Sequence, residues 1–182
     1  MSVLKVDSIQ NTGGNDLITT ANNTTSLKNP NGTTGLTIDS SGRMNLPNQI
    51  VFSAHTVSPS NGTVTNTYNT NLLFSNVSLN DGNHFNNSTG YFTCPVAGNY
   101  EVFYNGNYND TNDWIGLYLL HNNSVVIHSW KKNVTEYEYL SNVVHAIVSC
   151  SASDTLAIAF RNNYTKPSTN GSYNNCFIRF LG

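Results

Sequence analysis

From about residue 49 onward, short runs of branched and aromatic residues alternate with clusters of Asn, Ser, Gly and Pro, the spacing of strands and tight loops in an all-β domain. The runs predict strands at 50–56, 72–79, 91–94, 100–108, 115–121, 125–130, 140–150, 155–161 and 176–181. Between them lie turn formers such as Asn80-Asp81-Gly82-Asn83 and Asn122-Asn123. No segment of helical length carries apolar residues on a 3.6 period. That many strands in so short a stretch suit a two-sheet sandwich or jelly roll.

Two of these strands are apolar on both sides. In 115–120 the odd positions are Ile115, Leu117 and Leu119, and the even ones Gly116, Tyr118 and Leu120. In 143–148 the doubling recurs, broken only by His145. A sheet with one wet face alternates cleanly. The second apolar sides therefore call for a cover, and the expectation is another copy of the chain, with the chain's own loops as the alternative.

The first 48 residues differ. Their apolar side chains come in small groups (Val3, Leu4, Val6 and Ile9, then Leu17 and Ile18, then Leu36, Ile38, Met44 and Leu46) among polar residues. So short and polar a segment buries too little surface to offset chain entropy. It is expected to be disordered, or ordered only by winding with copies of itself or docking on a partner. Pro47 and Asn48 mark the predicted boundary, giving an N-terminal segment of residues 1–48 and a head of residues 49–182.

Composition sharpens this picture. Only 10% of the 182 residues are charged, against about 25% in ordinary domains. Their place is taken by 31 asparagines and 39 serines and threonines. The surface is thus polar but nearly uncharged. A net charge of -2 leaves no basic patch for phosphates, so nucleic acid is not an expected partner. No apolar run reaches the 18 or so residues that cross a bilayer, and 1–5 lacks the apolar core of a signal peptide, so the expectation is synthesis in a cytoplasm without membrane insertion. Twelve Asn-x-Ser/Thr sequons occur, but so Asn-rich a chain yields many by chance.

Candidate chemistry is sparse. His121 and His128 sit on strands joined by Asn122-Asn123, yet two histidines leave a metal short of ligands. Asp110 and Asp113 lack the full calcium-loop pattern. Cys94, Cys150 and Cys176 fit no metal spacing and read as small buried fillers, kept reduced in a cytoplasm. No catalytic set, no metal and no cofactor are expected, and the chain reads as non-enzymatic.

The stretch Phe92-Thr93-x-Pro95-Val96-x-Gly98-x-Tyr100-x-x-Phe103 resembles the central signature of the C1q-like globular head of the C1q/TNF jelly-roll group. In the same order come Phe52-Ser53-Ala54, Phe74-Ser75-Asn76-Val77, then Gly82 and Phe85, Ser153-Asp154-Thr155-Leu156, and the closing 177–182. The resemblance implies a ten-stranded jelly roll packed as a homotrimer, its inner sheet facing the three-fold axis. Trimer-interface candidates on that basis are Tyr100, Val102, Tyr104, Val143, His145, Ile147, Phe177, Arg179 and Leu181. The group's collagen-like Gly-x-y stalk is not found ahead of residue 50.

Leu4-Lys5-Val6-Asp7-Ser8-Ile9-Gln10-Asn11 and Leu36-Thr37-Ile38-Asp39-Ser40-Ser41-Gly42-Arg43 resemble phrases opening tail-fibre and other virion proteins of tailed phages, particularly those infecting cyanobacteria. This likeness implies a virion structural protein, with Val3, Leu4, Val6 and Ile9 as anchor candidates toward other capsid or tail proteins. Two roles stay open: a fibre or knob binding host-surface glycans, and a capsid decoration (cement) protein. Candidate glycan contacts are the loop residues Tyr108, Asn109, Asn112, Trp114, Trp130 and Tyr164, which offer ring faces and amide hydrogen bonds.

Overall fold

The computed structural model describes residues 8–46, 48–57, 70–109, 114–132, 139–161 and 174–182. They divide into two units, Met1–Gln49 and Ile50–Gly182.

The first unit is an antiparallel meander of β1 (Ser8–Gln10), β2 (Asp16–Ala21), β3 (Thr24–Lys28), β4 (Thr34–Ile38) and β5 (Met44–Asn45). The sequence pattern had suggested disorder or docking-induced order. The strands form because one turn recurs. Asn11, Asn29 and Asp39 each accept, at Oδ1, the N–H groups two and four residues ahead. Gly14, Gly32 and Gly42 take the left-handed position in those loops, at φ 78, 83 and 77°. The β2–β3 turn is Asn22-Asn23, both at positive φ, which matches the strands' right-handed twist.

Register gives this sheet two unlike sides. Ile9 pairs with Ile18, Ile18 with Leu27 and Leu27 with Leu36, an aliphatic row across four strands. The neighbouring row on the other side is Thr19, Ser26, Thr37 and Asn45. None of the unit's described residues is buried. A single layer has nothing to close against.

The second unit is a jelly-roll sandwich of β6 (Val51–Val57), β7 (Thr70–Asn71), β8 (Phe74–Asn80), β9 (Phe85–Asn86), β10 (Tyr91–Thr93), β11 (Gly98–Asn109), β12 (Trp114–His121), β13 (Ser124–Lys132), β14 (Tyr139–Cys150), β15 (Thr155–Arg161) and β16 (Asn174–Phe180). One layer runs β14-β11-β16-β6-β8 and the other β13-β12-β15-β10-β9, with β7 also on β15. All nine predicted head strands are present, and the two-residue β7 and β9 are additional. Between the layers lies an aromatic core, in which Phe52 stacks on Phe85 at 4.1 Å and Phe92 meets Tyr100 edge-on at 5.9 Å.

The core accounts for the sequence signature. Tyr100 is fully buried, yet its hydroxyl donates to the Val96 carbonyl at 2.8 Å, so one side chain fills the core and ties down the Pro95-Val96-Ala97-Gly98 turn. Two buried amides are likewise satisfied. Asn174 accepts from the Tyr104 hydroxyl at 2.9 Å, and Asn142 accepts from Ser129 Oγ at 2.6 Å.

The second apolar side of β12 is covered by its own chain. Tyr118 and Leu120 are buried together with Ala157 and Ala159 of β15, against Tyr91. Trp130 closes edge-on to Tyr118 at 5.8 Å, lying over Gly116, where a Cβ would come within 3.0–3.1 Å of the indole. Only β14 of the two strands keeps an uncovered apolar side, with Val143 and Ile147 exposed.

Candidate functional site

In β11 the alternation of a strand sends Tyr100, Val102 and Tyr104 into the core, all at 0% exposure, and turns Glu101, Phe103 and Asn105 outward. Tyr100, Val102 and Tyr104 therefore cannot line an outer interface. The expectation for this strand was one residue out of phase, and such a slip exchanges the two faces completely. Phase was legible at Glu101, since a charged residue is almost never fully buried unless paired. The other candidates, Val143, His145, Ile147, Phe177, Arg179 and Leu181, do lie on the outer side of this layer or at its end.

Antiparallel register assembles that side into rows. His145, Phe103 and Phe177 stand side by side across β14, β11 and β16, as do Ile147, Glu101 and Arg179. Phe103 and Phe177 stack at 5.2 Å and 15°, and His145 meets Phe103 edge-on at 5.8 Å. Glu101 joins the rows: Oε1 is 2.9 Å from His145 Nε2, and Oε2 accepts from Arg179 Nε. Arg179 also lies over the Phe177 ring at 5.7 Å. These hydrogen bonds, from His145 first and Arg179 second, hold the Glu101 carboxyl below the usual carboxylate range. The result is a patch of stacked rings with one compensated charge centre, flanked by Ile147 at 65% exposure and Val143 at 43%.

A second cluster sits at the end of the sandwich. Asp154 accepts from Asn122 Nδ2 at 2.8 Å and from the Ser151 N–H at 2.7 Å, and lies 2.8 Å from His121 Nε2. Those bonds, Asn122's the largest, lower its pKa to about 2. Asn122 in turn accepts from the Thr155 N–H at 2.9 Å. His121, Asp154 and the buried Cys150 bring ligand-type atoms within 4.8 Å of one another, and both carboxylate oxygens already have partners in Asn122, Ser151 and His121. This cluster staples strand ends. His128 pairs with Tyr118 and His121 with Ser124, so the hairpin does not bring the two histidines together. Asp110 and Asp113 lie outside the described residues.

Trp130 is half-exposed on the outer side of the other layer, beside Tyr118 and His128. Tyr108 and Asn109 end β11 and Trp114 opens β12, while Asn112 and Tyr164 lie outside the described residues. Ile9 stands half-exposed in β1, and Val3, Leu4 and Val6 lie outside the described residues. The missed contributors are Glu101 and Phe103.

Comparison with known proteins bears on the head. The family model described as C1q domain matches residues 52–179. Among solved structures, Eiger TNF from S. frugiperda is similar with a TM-score of 0.60 and 15% identity, covering 74% of this chain and 93% of that one. Murine APRIL at pH 5.0 gives 0.57 and 11%, over 73% and 99%. The globular domain of zebrafish complement 1qA protein gives 0.50 and 17%, over 73% and 96%. At these identities the likeness is one of fold. None of the curated proteins matches.

Proposed function

The chain belongs to the C1q domain family through residues 52–179, and from that premise we propose that it is a non-enzymatic, homotrimeric virion structural protein, a fibre or knob displayed on a phage particle. The observation carrying this is the uncovered outer side of the β14-β11-β16 layer, where Ile147, Val143 and the stacked Phe103–Phe177 pair are ordered around the compensated Glu101. A fold that covers the corresponding side of β12 but leaves this one bare is suited to self-association through it. The phage-like phrases 4–11 and 36–43 support the virion assignment, with the N-terminal unit acting toward other virion proteins.

Display then leaves the loops and Trp130 for host-surface glycans. Light scattering on the purified chain is expected to give about 60 kDa, three chains of 19.9 kDa. A monomer that persists at micromolar concentration contradicts the trimer. Locating the protein on intact particles distinguishes the fibre from capsid decoration: low copy number at the tail with reproducible glycan-array hits supports the former, and capsid-wide copies without glycan binding the latter.

A further inference from the structure

Cys94 and Cys150 meet across the two layers. Cys94 follows β10, whose Thr93 pairs with Thr155 of β15, and Cys150 closes β14 opposite Gly98. The turn leaving Cys150 folds back over Cys94. The Cys94 N–H donates to the Asp154 carbonyl at 2.8 Å, and its own carbonyl accepts from the Ser153 N–H at 2.7 Å. Two main-chain bonds thus pin one cysteine to the turn that begins at the other. Both side chains belong to one buried cluster, in which the two thiols interact, and the Cys150 thiol donates to the Val148 carbonyl at 3.8 Å. Both are free thiols, 0% and 5% exposed. Cys176 lies on β16 in the same core, its thiol perturbed by burial alone.

We propose that Cys94 and Cys150 are a latent cross-link between the layers, a dithiol in a reducing pool that becomes an intramolecular disulfide when a disulfide oxidant such as oxidised glutathione takes over. The step balances by thiol–disulfide exchange. Cys150, the less buried of the two residues, loses its proton and attacks oxidised glutathione, releasing one glutathione thiol. Cys94 then attacks the Cys150 sulfur and releases the second. Two S–H bonds are lost, one S–S bond forms, and the electron pair ends on glutathione. Burial and the nearby Asp154 charge keep both thiols protonated, so exchange is slow and waits on opening of the 151–154 turn. Once formed, the bond joins the residue after β10 in one layer to the end of β14 in the other and closes a long loop through β11, β12, β13 and β14. The site is a property of the head and does not depend on where the head is displayed.

The test incubates the full-length folded chain with oxidised glutathione, then titrates thiols in denaturant and maps peptides. The expected result is a fall from three titratable thiols to one, a mass loss of about 2 Da without a retained glutathione, and a 94–150 linked peptide. The melting temperature rises by roughly 5–15 °C. C176S, which removes the other thiol, is expected to behave the same, whereas C150S and C94S keep their melting points unchanged on oxidation. Three thiols surviving conditions that oxidise the urea-unfolded chain, a bridge through Cys176, or a stable glutathione adduct on Cys150 would each overturn the proposal.

Discussion

The exposed Asn122 and the half-buried Asp154 hold more of the head than their places at its end suggest. Asn122 sits in left-handed backbone at φ 49°, donates to Asp154 and accepts from Thr155 N–H. Asn122→Ala loses both bonds and puts a Cβ in an unfavourable backbone region, so unfolding by urea is expected to show a loss of about 2–4 kcal/mol. Asn122→Gly keeps the backbone and is expected to lose about 1 kcal/mol less. Asp154 also sets a pH response. Its folded pKa of about 2 lies below the ordinary 3.8, so its contribution is complete above roughly pH 4 and is lost as pH falls toward 2. Glu101, lowered for the same kind of reason, adds to the loss in the same direction. Melting temperatures across that acid range should fall steeply in the native chain and more shallowly in Asp154→Asn. Equal slopes would mean the turn bonds do not depend on the charge.

At the level of elements, a strand's phase decides what it can do. The apolar doubling of β12 is explained inside the chain, because Trp130 lies on Gly116 and closes against Tyr118. Gly116→Ala places a methyl against three indole atoms at 3.0–3.1 Å, and the ring must lift. The expected outcome is a red-shifted tryptophan emission and a destabilisation of about 1–3 kcal/mol. Fluorescence unchanged from the parent would show that the indole is not seated there. In the N-terminal meander the three Asn/Asp-x-x-Gly loops act alike, each satisfying two N–H groups from one side-chain oxygen. That repeat escapes a search for recurring strands because only the turn residues recur, at Asn11, Asn29 and Asp39.

For the whole molecule, the two units present the same physical problem in different degrees. The head hides a large aromatic core and leaves one ordered side bare, whereas the meander has an aliphatic row and no buried residue among those described. Charging the bare side should separate assembly from folding. Ile147→Lys places a cation at a position 65% exposed, so the far-ultraviolet spectrum is expected to stay native while light scattering falls from about 60 kDa toward the monomer. Tyr104→Ala, at a fully buried position hydrogen-bonded to Asn174, is expected instead to destabilise by about 3–5 kcal/mol. An assembly indifferent to Ile147→Lys would move the contact elsewhere.

By itself the sequence determined the all-β class, every long strand of the head and the buried state of the cysteines, because alternation, branched residues and turn formers are local signals that act over a few residues. The C1q-type signature was legible for the same reason, as a turn and its two strands are contiguous in the chain. Tertiary structure decided which side of β11 faces outward, that β12 is covered by Trp130 and Tyr91, and that Glu101 joins His145 and Arg179. It also brought Cys94 beside Cys150. Each of these depends on register between strands far apart in sequence, where a shift of one residue exchanges core for surface and composition does not change at all.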